Sequence, residues 1–255
     1  MSAAPKILTL DIETQPATAE VWSLWDQNIG IQQIVEPSSV LCFAAKWEHQ
    51  KQVQFFAEWD GRGIMLDAAH ELLDEADYVV TWNGRKFDIP HLMGEFLLTK
   101  RTPPSPHRDI DLFLVAKKNF NLMSNKLDFY SQQLGVGAKV KNGGFGLWQE
   151  IRRPKSEASL LRARKLMQKY NEADVVLTEK LFRQMRPWIS GMNCPAYNEE
   201  LGKPGCTRCG STNLNARGWA YTTTLRYRRF RCMDCGGWMR SKKSEPTPNA
   251  ELRNA

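Results

Sequence analysis

"LTLDIET" (8–14) is the stretch on which the reading of this chain turns. Its β-branched and apolar residues suit a strand, and a strand sends successive side chains to opposite faces. Leu8, Leu10 and Ile12 share one face, while Ile7, Thr9, Asp11 and Glu13 share the other. Two carboxylates therefore stand side by side on what reads as a core strand. Like charges repel, and burial makes each costlier. A compensating group is expected nearby.

Two further carboxylates sit in telling places. In "YVVTWNGRKFDIPHL" (78–92) a short apolar strand ends at Asn83-Gly84, and Asp88 opens the helix that follows. An Asp there also suits a helix N-cap. In the long helix predicted from Pro154 to Arg186, the apolar stripe Leu160, Ala163, Met167, Tyr170, Leu177, Leu181 leads in steps of three and four onto Asp174. A carboxylate thus holds a slot that the pattern reserves for core. A salt bridge to an arginine is the plainer alternative. Were Asp11, Glu13, Asp88 and Asp174 to converge, divalent cations would relieve their repulsion. Hard oxygen ligands select Mg²⁺ or Mn²⁺. Two such ions roughly 3.5–4 Å apart make a site for phosphodiester hydrolysis.

The order "DIE" (11–13), "NGRKFD" (83–88), "YNEAD" (170–174) resembles the DnaQ-like 3′–5′ exonucleases of the ribonuclease H-like fold. The Tyr form of the third motif resembles the DEDDy branch, which includes the proofreading domains of family B DNA polymerases. "DIDLF" (109–113) and "KLDFYSQQLG" (126–135) also look like the family's segment between its second and third motifs. The resemblance spans about residues 5–187. It implies metal ligation by Asp11, Glu13, Asp88 and Asp174, with Tyr170 orienting the attacking water. It further implies that Asn83 and Phe87 line the site near the terminal nucleotides. Arg85 and Lys86 are either backbone contacts or solvated charges. His91 reads as a packed or surface residue rather than a catalytic one, and Asp109 and Asp111 read as structural, with an extra acidic pair near the metals as the alternative. The chain departs from the fused enzymes in having no polymerase domain.

The six cysteines add a second signal. Cys206/Cys209 and Cys232/Cys235 are two Cys-x-x-Cys pairs with 22 residues between them, the spacing of a zinc ribbon around one tetrahedral Zn²⁺. Gly210 and Gly236 fit the tight knuckle turns. "WAYTTTLRYRRFRC" (219–232) alternates like a strand and interleaves Arg226, Arg228 and Arg229 with Trp219, Tyr221, Tyr227 and Phe230. That composition suits phosphate contacts and base stacking, or simply a soluble basic surface. Cys42 and Cys194 have no partner by spacing and read as plain thiols.

The expected fold is α/β, a ribonuclease H-like mixed sheet flanked by helices, plus a small zinc ribbon. The expected boundaries are an exonuclease domain at 1–189, a linker at 190–205, the ribbon at 206–240 and a disordered tail at 241–255. "KNGGFG" (141–146) reads as a flexible loop. Charge is asymmetric: residues 1–100 hold 7 Lys/Arg against 15 Asp/Glu, a net of −8, and residues 101–255 hold 28 against 13, a net of +15. An acidic front and a basic back suit a protein that holds cations and binds a polyanion. With no long apolar run and no signal-peptide pattern, the expected location is the cytoplasm, or the host cytoplasm for a phage protein. The expected activity is 3′–5′ hydrolysis of DNA at single-stranded or frayed ends, in proofreading or repair, beside a separate polymerase or replication complex. Open alternatives are an RNA-directed exonuclease, a structure-trimming endonuclease, and a catalytically silent nucleic-acid-binding adaptor.

Overall fold

The structure is a computed structural model, and it describes residues 4–26, 28–199 and 202–247. These fall into two compact units: Lys6–Phe182, and the described residues from Arg183 onward together with residues 4–5.

The first unit is built on a five-stranded mixed sheet. Its strands are β1 (Ile7–Gln15), β4 (Ser39–Trp47), β5 (Gln54–Ala57), β6 (Tyr78–Thr81) and β7 (Arg108–Asp111), in the order β5-β4-β1-β6-β7. Between β1 and β4, β2 (Thr18–Ala19) and β3 (Ile34–Glu36) form a small ribbon. β1 runs antiparallel to β4 over nearly its whole length but parallel to β6 only at Ile7–Thr9. Beyond Thr9 that flank of β1 has no strand partner in β6, and the backbone there is free to meet a side chain. β4 is buried from Val40 to Lys46, as expected of a strand covered on both faces.

Alternation then sorts the core into two halves. Leu8, Leu10 and Ile12, with Phe43, Ala45 and Val79, pack under α1 (Arg62–Glu75) and α2 (Asp88–Leu98). On the opposite face Cys42 and Ala57, with Leu41 from the register shift that breaks the alternation there, pack under Leu147 of α5 (Phe145–Arg152) and Ala163 and Met167 of α6 (Glu157–Met185). The result is the predicted mixed sheet between helical layers. Asp11 and Glu13 pair in register with Ala44 and Cys42, so they point toward the α6 side.

Some elements differ from expectation. "RDIDLF" (108–113) reads as one short strand from the sequence, but β7 stops at Asp111, whose carboxylate accepts from the Phe113 and Leu114 amides and so starts α3 (Leu112–Asn119). The segment 141–146 is loop only as far as Gly144, with Phe145 and Gly146 already in α5. "NKLDFYSQQLG" (125–135) reads as a helix stopped by Gly135, and α4 (Leu127–Gln133) forms there.

In the second unit, β8 (Leu214–Tyr221), β9 (Leu225–Cys232) and β10 (Trp238–Pro246) form an antiparallel sheet in the order β10-β9-β8. The tail expected to lose order at Ser241 instead continues β10, because Ser244, Glu245 and Pro246 pair with Tyr227, Arg226 and Leu225. Residues 248–255, the rest of that tail, lie outside the described residues. No helix among the described residues is long and apolar enough to cross a membrane.

Candidate active site

Three carboxylates meet on the α6 side of the sheet. One oxygen each from Asp11, Glu13 and Asp174 lies within 4.8 Å of the others. Asp11 and Glu13 get there by strand alternation, and Asp174 by the inward face of α6, where it is 1% exposed. Asp88 joins by another route. Its Oδ1 accepts the Ile12 amide at 2.9 Å, using the β1 backbone that β6 leaves unpaired. It borders the three-carboxylate group without belonging to it.

The approach of Asp88 depends on a tight turn. Asn83 sits in the left-handed region at φ 70°. A Cβ on Gly84 would come within 2.4 Å of the Thr81 side chain, so only glycine fits. The Asp111 carboxylate holds the turn from below, accepting the Asn83 amide at 2.9 Å and the Arg85 amide at 3.3 Å. Asp111 is thus structural, as expected. The Arg85 side chain and the Phe87 ring are exposed beside Asp88, and Phe87 stacks against His91 at 4.4 Å. His91 turns its Nδ1 to the Phe87 carbonyl, 2.7 Å away, in the packing role expected of it.

Burial and mutual repulsion push these acids upward. Asp11 is raised well above the usual carboxylate range by burial, then by the charges of Asp88, Glu13 and Asp174. Glu13 is pushed up to about 8 by burial and Asp174, against the pull of Lys139. Burial lifts Asp88 to about 7 although the Ile12 amide stabilises its charge. Burial also raises Asp174, with Lys139 and Tyr170 opposing. Tyr170 is pushed up to about 12 by burial and by Asp174, so its hydroxyl keeps its proton at neutral pH.

Two participants were missed by sequence reasoning. Lys139 places its Nζ 2.7 Å from Asp174 Oδ2 and 3.1 Å from the Tyr170 hydroxyl. It sits in a loop without periodicity, where no sequence pattern marks it. The plainer alternative for Asp174 was a salt bridge to an arginine; the salt bridge that the structure holds is to this lysine. Asn171, fully buried, donates to both the backbone oxygen of Asp11 at 3.1 Å and its Oδ2 at 2.7 Å. Its place one residue after Tyr170, on the inward side of α6, is a readable signal.

The donor set fits hard divalent cations. Lys139 offers one positive charge against four carboxylates, and Asp174 Oδ1 is buried with no hydrogen-bond partner. The cysteine centre fits a softer ion. Cys206 Sγ lies 3.6 Å from Cys235 Sγ, and Cys209 Sγ lies 3.7 Å from Cys232 Sγ. A tetrahedron with Zn–S bonds of about 2.3 Å has edges of about 3.8 Å. Gly210 and Gly236, at φ 77° and 78°, make the two knuckle turns. Without a cation the thiols diverge. Backbone amides overcome burial to draw Cys232 down to about 7, while burial pushes Cys235 up to about 11.

Arg226 and Arg228 stack on the Trp219 ring at 4.2 and 5.2 Å, and Arg226 is held by Glu245 through Nε and Nη2 at 3.1 and 2.8 Å. Arg229 stacks on Trp238 at 5.0 Å, and Arg240, not singled out by sequence, stacks on Tyr227 at 4.0 Å.

Residues 35–186 match the family model described as the RNase_H superfamily. The chain belongs to the RNase_H superfamily. Among solved structures, this RNase_H superfamily chain is similar to the family B DNA polymerase from the hyperthermophilic archaeon Pyrobaculum calidifontis. The TM-score is 0.53 at 15% identity, covering 86% of this chain and 31% of that one. Identity that low shows shared fold alone, and the chain spans under a third of the polymerase's length. No curated protein sequence matches this chain.

Proposed function

We propose that the chain is a divalent-metal-dependent 3′–5′ exonuclease of the DEDDy type, acting on single-stranded or frayed 3′ ends of DNA in proofreading or repair. The supporting observation is the meeting of Asp11, Glu13 and Asp174 beside Asp88, an acidic cluster that the fold assembles from three distant segments. The superfamily and the polymerase-like fold agree with it.

Asp11, Glu13, Asp88 and Asp174 would hold Mg²⁺ or Mn²⁺, two ions by the DEDDy resemblance. Bound there, the metal supplies the Lewis-acid chemistry that phosphodiester hydrolysis needs. The remaining work falls to the chain. Tyr170, protonated and fixed by Lys139 and Asp174, orients a water by its hydroxyl. Water adds to the terminal phosphorus, the 3′ oxygen leaves, and a nucleoside monophosphate is released. Lys139 opposes the effect of burial on Asp174 and positions it. Asn83, Arg85 and Phe87 border the strand's path. Asn171 fixes Asp11.

The second unit would carry one structural Zn²⁺ on Cys206, Cys209, Cys232 and Cys235 and help grip nucleic acid. The grip falls mainly on the sheet face where Arg229 pairs with Arg240 and Arg231 with Trp238. Glu245, the one carboxylate in these three strands, neutralises Arg226 on the other face.

A ladder of products from 5′-labelled DNA and RNA strands, with and without Mg²⁺, tests this reading. Successive shortening from the 3′ end is expected on DNA, and discrete internal cuts would make the chain an endonuclease. Asp174→Ala should abolish the ladder while leaving the fold intact; undiminished activity refutes the assignment. One observation favours a silent adaptor instead: Lys139 already meets Asp174 with an internal cation. Calorimetric titration with Mn²⁺ separates the two, since an adaptor binds no pair of ions.

A further inference from the structure

Beside the carboxylates, at the far end of β1, lies a cavity of about 650 Å³. It begins at Gln15, two residues beyond Glu13 and so about 7 Å further along the strand. Its opposite wall is Arg164 of α6, ten residues before Asp174 and so about 15 Å along that helix. Four arginines line it: Arg62, Arg152, Arg153 and Arg164.

Two of them are already engaged. Arg62 meets Glu58 and Glu95. Arg152 meets Glu36 and donates to the Pro16 carbonyl at 3.0 Å and the Thr18 hydroxyl at 2.7 Å, tying α5 to the end of β1. The other two have no carboxylate among the described residues. Arg153 stands at the end of α5 with its side chain exposed. Arg164 lies over the Trp59 ring at 5.2 Å, and its Nε is buried without a hydrogen-bond partner. A buried cationic donor left unpaired is costly, and an anion such as a phosphate oxygen relieves it with a charge-assisted hydrogen bond. Glu36, Glu58 and Glu95 offset three of the four arginine charges, so the cavity keeps an excess of one.

We propose that this cavity is a phosphate-binding site, in which Arg153 and Arg164 take the phosphate of a nucleotide. Arginine's planar fork matches phosphate oxygens in pairs, which a lysine cluster does not. Trp59 and Leu41 give the same cavity an apolar wall for the rest of the ligand. The phosphate belongs either to the nucleic-acid strand or to a free nucleoside monophosphate. The inference goes beyond hydrolysis, since none of these residues touches the carboxylate cluster.

The test is equilibrium binding in magnesium-free buffer with zinc retained. The probes are deoxyadenosine 5′-monophosphate, inorganic phosphate, and a fluorescein-labelled oligothymidylate whose 3′ linkages are phosphorothioate. Arg153→Gln and Arg164→Gln should each weaken binding by about 10-fold or more, the scale of a lost charged hydrogen bond. Lys165→Gln, an exposed neighbour on α6, removes the same charge outside the cavity and should change little. Loss with the monophosphate assigns the site to free nucleotide; loss with the oligonucleotide alone assigns it to the strand. Unchanged binding of every probe in both variants, or an equal loss in Lys165→Gln, overturns the proposal. Arg153→Gln keeps the test valid should Arg164→Gln fail to fold. Because no turnover is measured, a chain that never cleaves still reports on the cavity.

Discussion

The carboxylate cluster and the cysteine cluster are both candidate cation centres, yet they stand in opposite relation to the protein around them. Asp11, Glu13 and Asp174 are positioned by a sheet and a helix with extensive apolar packing of their own. Lys139 and Asn171 even supply part of the compensation from within. Around Cys206, Cys209, Cys232 and Cys235 the three strands bury little apolar surface beyond the cysteines themselves. The lesson is one of causality. In the first unit apolar packing brings the site together, whereas in the second the cysteines are the main groups that the strands bury.

The largest effect that could break this contrast is zinc removal. Structural zinc in small cysteine modules contributes roughly 10–16 kcal/mol of apparent folding free energy. A chelator should therefore expose 206–247 to protease while Lys6–Phe182 stays resistant, as read by mass spectrometry of the fragments. Protection of both stretches after measured zinc loss would show that β8–β10 hold themselves together.

Next in size is Tyr170→Phe. Loss of the hydroxyl should slow single-turnover cleavage by roughly 10²–10⁴-fold, the usual scale of a positioned acid–base group. The unfolding midpoint should barely move, because the ring remains packed. A wild-type rate would remove Tyr170 from the mechanism. A large loss of stability would make it a packing residue.

How much of this was legible in the sequence follows from which signals are periodic. Asp11 and Glu13 betrayed themselves by alternation, Asp174 by its place in a helical stripe, and the four cysteines by spacing. These are local regularities, and the sheet and helices preserved them. Lys139 could not be found that way, since a loop residue meets Asp174 across 35 positions only once β1 and α6 have docked. α3 was hidden because "RDIDLF" alternates like a strand, and the decisive fact is a cap made by Asp111. The readable sign was the helical pair Leu112 and Ala116 followed by Lys117 and Lys118. The cavity of four arginines drew its lining from several segments, which no window of sequence displays together.

A smaller effect sharpens the first half of the contrast. If Lys139 is the internal counter-ion, Lys139→Met should destabilise the metal-free first unit by about 1–3 kcal/mol, since Asp174 is left buried with one fewer partner. The figure stays below that for a fully buried pair because the lysine side chain is 32% exposed. Urea unfolding without magnesium measures it, and Mn²⁺ should restore most of the loss. Equal stability with and without Lys139 would mean that the acids tolerate one another unaided.

The last effect is one of pH, and its sign is set by the direction of the shifts. Glu13 lies at about 8 and Asp88 at about 7 in the folded chain, both above the ordinary carboxylate range near 4. Between those limits the folded state binds more protons than the unfolded one. The stability that protonated Glu13 and Asp88 contribute is complete below about pH 4 and is lost as pH rises through 7 and 8. With two acids linked, the slope in mid-window should exceed the roughly 1.4 kcal/mol per pH unit of one fully linked proton and stay below twice that. Thermal midpoints of metal-free protein at successive pH values should fall over this window. Adding Mn²⁺ should flatten the fall, because the cation favours the charged acids and displaces their protons. Glu13→Gln should flatten it without metal, having no proton to lose. Parallel curves for Glu13→Gln and the unaltered chain would show that Glu13 is not what strains the metal-free fold. A curve steeper with Mn²⁺ than without it would mean the ion binds elsewhere.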